Sequence, residues 1–153
     1  MLKLSVSTKP FILNFLAASL IGLFFYAAFS QLLNFEDTRR SMLNQVFPAF
    51  IAHILAYLIP LLELIVTALM IFVSTRWIGF YASAFLLLLF SAYILITMSG
   101  VFGRIPCSCG GLLRSQSYWP QLLMNILFLF LAVIGIYLEH KLLFFRKEGI
   151  KTI

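Results

Sequence analysis

Residues 48–73 read PAFIAHILAYLIPLLELIVTALMIFV, and the length of this run decides the fold. At 1.5 Å per residue, about 20 mainly apolar residues cross the roughly 30 Å hydrocarbon layer of a bilayer. A segment in lipid must satisfy its own backbone polar groups, so it spans either as a helix or as part of a closed barrel. The run has no alternation of apolar and polar residues, which excludes the barrel. Three more stretches of the same kind flank it, at residues 10–33, 77–101 and 119–138. The expected fold is all-α, a polytopic membrane protein built as a bundle of four transmembrane helices. With no internal repeat and no low-complexity linker, residues 1–153 are expected to form a single membrane domain.

Composition supports a lipid solvent. Of the 153 residues, 63% are hydrophobic and only 10% charged, whereas soluble domains are nearer half apolar and a quarter charged. A chain this short has no soluble core large enough to hide so much apolar surface. The net charge of +6 therefore points to membrane orientation and lipid head groups rather than to nucleic acid. Lys3 and Lys9 precede the first apolar run, but residues 11–33 exceed the apolar region of a signal peptide, so a retained first span is expected. Lys3, Lys9, Arg76, Lys141, Arg146, Lys147 and Lys151 fall on one side of the expected membrane, against Arg39, Arg40, Arg104 and Arg114 on the other. That bias predicts both termini in the cytoplasm, with the loop between the third and fourth spans facing outward. Residues 34–47, mixing charges with Leu43, Val46 and Phe47, are expected to form a short helix on the outer surface.

That third loop holds the only two cysteines, in Pro106-Cys107-Ser108-Cys109-Gly110-Gly111. Three readings compete for them. Membrane cysteines are often inert small hydrophobes. Outside the cytoplasm, a disulfide is plausible; across one intervening residue it demands a sharply bent backbone, and a strained bridge is easily reduced. Pro106 and the glycines supply bending and access. Two thiolates would also help to hold a metal, but a structural zinc site wants four ligands, and His140 lies on the opposite side; no metal is assigned. Arg104 and Arg114 flank the pair and are placed to stabilise a thiolate.

Glu63, near mid-membrane, is a functional candidate because ionisable groups at that depth are costly. Its other reading is a carboxyl hydrogen-bonded to a neighbouring helix or to backbone freed by Pro60. His53 lies near the outer face and is a candidate proton acceptor for a thiol, or simply a hydrogen-bonded histidine. Tyr26, Tyr93 and Asn125 occupy outer halves of spans one, three and four. With His53 they are candidates to line a pocket beneath the cysteine loop, of a kind that would take a membrane quinone.

Several of these motifs carry a resemblance. They are Phe25-Tyr26-Ala27-Ala28-Phe29-Ser30-Gln31-Leu32-Leu33 followed by Phe35, then Pro60-Leu61-Leu62-Glu63-Leu64, then Ile105-Pro106-Cys107-Ser108-Cys109-Gly110-Gly111, and Asn125. On them, residues 24–138 resemble the MauE branch of the MauE/DoxX family of redox-associated membrane proteins. Gln31 stands where many relatives carry Lys. The resemblance implies a four-helix bundle acting in thiol-disulfide exchange outside the cytoplasm, beside a thioredoxin-like partner. The bundle is also similar to vitamin K epoxide reductase and related quinone-linked oxidants, though this chain lacks their Cys-x-x-Cys and second cysteine pair. The expected function is thus an inner-membrane thiol-disulfide oxidoreductase that uses Cys107 and Cys109 and supports maturation of extracytoplasmic proteins. The alternative is a non-enzymatic membrane subunit that docks or stabilises a larger envelope complex. A transporter is a third reading, set against a single ionisable mid-membrane group and no repeat.

Overall fold

The computed structural model describes residues 8–43, 48–99 and 118–151; Cys107 and Cys109 lie outside them. Every regular element among the described residues is a helix. They are α1 (Thr8–Leu33), α2 (Phe35–Leu43), α3 (Ala49–Ile71), α4 (Arg76–Met98) and α5 (Tyr118–Lys151). Four of the five, all but α2, are long and apolar enough to cross a membrane.

Local chemistry sets most of the boundaries. Pro10 sits in the first turn of α1, where its missing N–H costs no intrahelical bond. α1 and α2 are nearly one helix, interrupted only at Asn34. Asn34 N–H donates to Ser30 O at 3.1 Å and Thr38 N–H to Asn34 O at 2.9 Å, so the ladder continues across the break. The Asn34 side-chain amide donates to the same Ser30 carbonyl at 3.2 Å, competing with the backbone at the break. The short helix expected over residues 34–47 on the outer surface is α2, over Phe35–Leu43, but it follows on from α1 and lies along α3. It carries Glu36 and Asp37 in its first turn and Arg40 in its last, matching the helix dipole. At the far end of α3, Phe72 is extended (φ −82°, ψ 122°), and Thr75 Oγ1 donates to Leu69 O at 2.9 Å to close the turn into α4.

The fourth helix departs from expectation. The apolar run ends near residue 138, yet α5 continues to Lys151. Charged residues stop the run of lipid-compatible side chains without stopping the backbone ladder, and no proline follows to break it.

The four long helices pack in the cyclic order α1, α3, α4, α5 and back to α1, with α2 laid against α3. Consecutive spans are antiparallel. Asn14, early in α1, meets Arg76 at the start of α4, and Gly135, late in α5, meets Phe80, early in α4. One end of the bundle therefore carries α2 and the α4–α5 connection; the other carries the α3–α4 turn. The core runs through Leu13, Leu16, Ala17, Leu20 and Phe24 of α1, Val66 and Met70 of α3, Phe80 and Leu87 of α4, and Ala132 of α5. With lipid outside, burial of apolar surface does not drive this association; close packing does. Glycine supplies the closest approaches. A Cβ on Gly79 would lie 2.5 Å from Met70 Cγ and 3.1 Å from the Met70 backbone nitrogen, and one on Gly135 would run into the Phe80 ring.

Candidate functional site

The inward stripe of α1 passes through Leu13, Leu20, Phe24 and Ala28 at helical spacing and ends on Gln31. On α3 the corresponding stripe passes through Ala52, Ala56 and Pro60 to Glu63, Thr67 and Met70. These two stripes face each other, so a glutamine and a glutamate meet inside the bundle. Gln31 is 6% exposed and Glu63 3%. Gln31 Nε2 donates to both carboxyl oxygens of Glu63, at 3.3 Å to Oε1 and 3.2 Å to Oε2. Of the two sequence readings of this carboxyl, a bond to a neighbouring helix is present, and its partner is a side chain rather than backbone freed at Pro60.

This contact also positions α2. Gln31 is two residues from the end of α1 but touches α3 at mid-length, so α1 leaves the first half of α3 uncovered. α2 covers it instead: Met42 is buried against Ala52 and Ala56, and the Phe35 ring packs on Tyr57 at 4.7 Å between centroids. Thr38 Oγ1 of α2 donates to the Gln31 backbone carbonyl at 3.2 Å, and Thr67 Oγ1 to the Glu63 carbonyl at 2.8 Å. A continuous polar path thus runs from α2 through Gln31 to Glu63 and Thr67.

Elsewhere in the bundle, buried hydroxyls bond the carbonyls of their own helix. Ser83 donates to Phe80 O, Ser91 to Leu87 O and Thr97 to Tyr93 O, at 2.9, 2.7 and 2.9 Å. Two amides are different. Gln31 Oε1 and Asn125 Nδ2 are enclosed without a hydrogen-bond partner among the described residues, one an acceptor and the other a donor. Unmatched buried groups of this kind are uncommon in folded proteins and mark sites open to a polar ligand or water.

The other sequence candidates are less concentrated. His53 is partly buried on α3, ten residues before Glu63 and so roughly 15 Å from it along the axis. Tyr93 is partly buried on α4, and Asn125 partly buried on α5. Tyr26 is 52% exposed on the outer face of α1, turned away from the stripe that ends at Gln31. Gln31 itself stood outside the candidate set. Its signal in the sequence was its register with Leu20, Phe24 and Ala28, which a run apolar on every side does not single out.

A family model described as Methylamine utilisation protein MauE matches residues 9–138. The chain belongs to this family. The match takes in nearly all of α1, the whole of α3 and α4, α5 as far as Leu138, both partners of the Gln31–Glu63 contact and the cysteine-bearing connection. No curated protein and no solved structure matches the chain. Family membership and the four apolar helices make this a multi-pass membrane protein, and the family supports a membrane-associated role in methylamine utilisation.

Proposed function

We propose that this chain is a single-domain thiol-disulfide protein of the bacterial inner membrane, exchanging a Cys107–Cys109 disulfide with a periplasmic thioredoxin-like partner. The observation that carries the reading is the location of the only two cysteines. They stand in the chain between α4 and α5, which joins those helices at the end of the bundle where α2 covers α3. Both termini then face the cytoplasm, in line with Arg76 at the α3–α4 turn and the basic residues Lys141, Arg146, Lys147 and Lys151 in the last part of α5.

The exchange runs as follows. A thiolate of the partner attacks one sulfur of the Cys107–Cys109 bridge; the S–S bond breaks, a mixed disulfide forms and the other cysteine leaves as thiolate. A second partner thiol resolves the mixed disulfide, leaving the partner oxidised and the pair reduced by two electrons. The two electrons and two protons would pass to a membrane quinone, for which Tyr93 and Asn125 are the candidate lining residues, or to a second protein. His53 would accept the proton of a thiol, and Glu63 is the buried carboxyl within the membrane.

The test is alkylation trapping in intact cells with a membrane-impermeant thiol reagent, before and after mild reductant. Labelling that emerges only after reductant, together with loss of exchange in Cys107→Ser and Cys109→Ser, is the expected result. A pair that stays unlabelled under both conditions, or exchange unaltered in both variants, overturns the proposal.

A further inference from the structure

The Gln31–Glu63 contact is short of one hydrogen. An ionised carboxylate only accepts, while a glutamine amide carries both donors and an acceptor. Gln31 Nε2 stands 3.3 Å from one carboxyl oxygen and 3.2 Å from the other, so the donor end of the amide is spent on both. Its acceptor end, Oε1, is buried without a donor among the described residues. Hydrogen bonds to an ionised partner run shorter, at roughly 2.7–2.9 Å. Neither contact is that close.

No cation among the described residues answers the carboxyl. In α1 to α4 the only lysines and arginines are Lys9, Arg39, Arg40 and Arg76. Lys9 opens α1, at the other end of that helix from Gln31. Arg39 is turned to Glu36 at 3.8 Å, and Arg40 is exposed with Asp37 on α2. Arg76 precedes Gly79, whose neighbour Met70 is already two turns of α3 beyond Glu63. On α5, Glu139, His140 and Lys141 lie past Gly135, which meets Phe80 early in α4. His53 is a further roughly 15 Å away along α3 itself. A buried carboxyl with no compensating charge gives up its ionisation rather than bear the cost of desolvation.

We infer that Glu63 is a proton-binding site: its carboxyl stands as a neutral acid whose O–H donates to Gln31 Oε1, while Gln31 Nε2 donates to the carbonyl oxygen. The proton comes from water as the helices assemble, and it gives every polar atom of the two head groups a partner. The last torsion of a glutamine has a broad well, so the amide turns onto both carboxyl oxygens at little cost. Acid and amide then close a two-bond ring between α1 and α3 with no net charge inside the bundle. The inference concerns this pair alone and is independent of the proposed cysteine chemistry.

The test is infrared spectroscopy of the full chain in lipid nanodiscs at neutral pH, with and without isotope-labelled glutamate. The wild-type chain is expected to show the carbonyl stretch of a protonated carboxyl, moved down by the label, and no variant has to fold for that measurement. Glu63→Gln removes the band, which separates it from the carboxyls of Glu36, Glu139 and Glu148. That variant also keeps a donor and an acceptor in the same places, so its thermal midpoint stays at the wild-type value. In Gln31→Leu the band shifts up, because the acid has lost its acceptor. In Gln31→Lys, whose ammonium compensates a carboxylate, it is lost. A wild-type spectrum without the band, or a band that persists unchanged in Glu63→Gln, overturns the inference. Loss of a carboxylate band in Glu63→Gln overturns it as well.

Discussion

Replacing Gln31 by Leu leaves the Glu63 carboxyl inside the bundle without its side-chain partner. Both carboxyl oxygens accept from the one Gln31 amide, and Glu63 is 3% exposed, so no solvent replaces the lost donor. Orphaning a buried polar group costs about 1–3 kcal/mol, more when it is ionisable. The bond itself contributes less, since interhelical hydrogen bonds in membranes average about 0.6 kcal/mol and reach about 1.7. The order of stabilities follows from this asymmetry. Gln31→Leu is the least stable variant. Glu63→Leu, which orphans only a neutral amide, comes next. Gln31→Leu/Glu63→Leu, which removes both partners of the contact and the unmatched Gln31 Oε1 with them, lies within about 1 kcal/mol of wild type. The cycle then yields a coupling of about 1–2 kcal/mol between the two sites. Reversible unfolding of the purified chain in mixed detergent micelles, titrated with a denaturing detergent, measures all four. A double variant as unstable as Gln31→Leu would refute the reasoning, because the loss would then come from shape rather than from the stranded carboxyl.

Other consequences are open to the same assay. Gly135→Ala drives a methyl into the fully buried Phe80 ring; overpacking of about 1–3 kcal/mol outweighs the roughly 1 kcal/mol gained in helix propensity, so a net loss is expected. Gly79→Ala should cost more, since the Met70 backbone stands in the way as well as its side chain. Gly22→Ala meets nothing within 4 Å and should be neutral or slightly stabilising; a loss there equal to that of Gly135→Ala would discredit the packing account. Thr38→Val removes the hydroxyl that ties α2 to Gln31 O and should speed amide hydrogen exchange across Phe35–Leu43 while sparing α4. Unchanged exchange in α2 would show that Met42 and Phe35 hold it unaided.

The spans were readable in the sequence because lipid imposes a length. Residues 48–73 overstate α3 by one residue at the start and two at the end, and the third span starts within a residue of α4. The same signal says little about which way a residue faces. In water an inward stripe stands out against a polar face; in lipid both faces are apolar, so the contrast that reveals it is missing. Tyr26 and Gln31 show the effect. The tyrosine, a reasonable pocket residue by depth, faces outward, and the glutamine five residues later carries the buried contact. The length of α5 was hidden for a related reason: apolarity reports where lipid ends, while the helix needs only an unbroken ladder. Glu63 was legible as a candidate because a carboxylate at that depth is conspicuous whichever way it points. Its partner was not, since nothing local links two residues on different spans.

The cyclic order of the helices bears on how the protein is made. α3 meets α1 and then α4 as each emerges from the ribosome in turn, but the second flank of α1 is covered only by α5, the last span synthesised. Until α5 is inserted, the growing chain is a three-helix intermediate with one side of α1 and one side of α4 open to lipid. Closing that gap seats Gly135 over Phe80. α5 thus acts as the closing stave of the bundle, and a ribosome stalled before residue 118 would leave a chain able to insert but unable to finish its assembly.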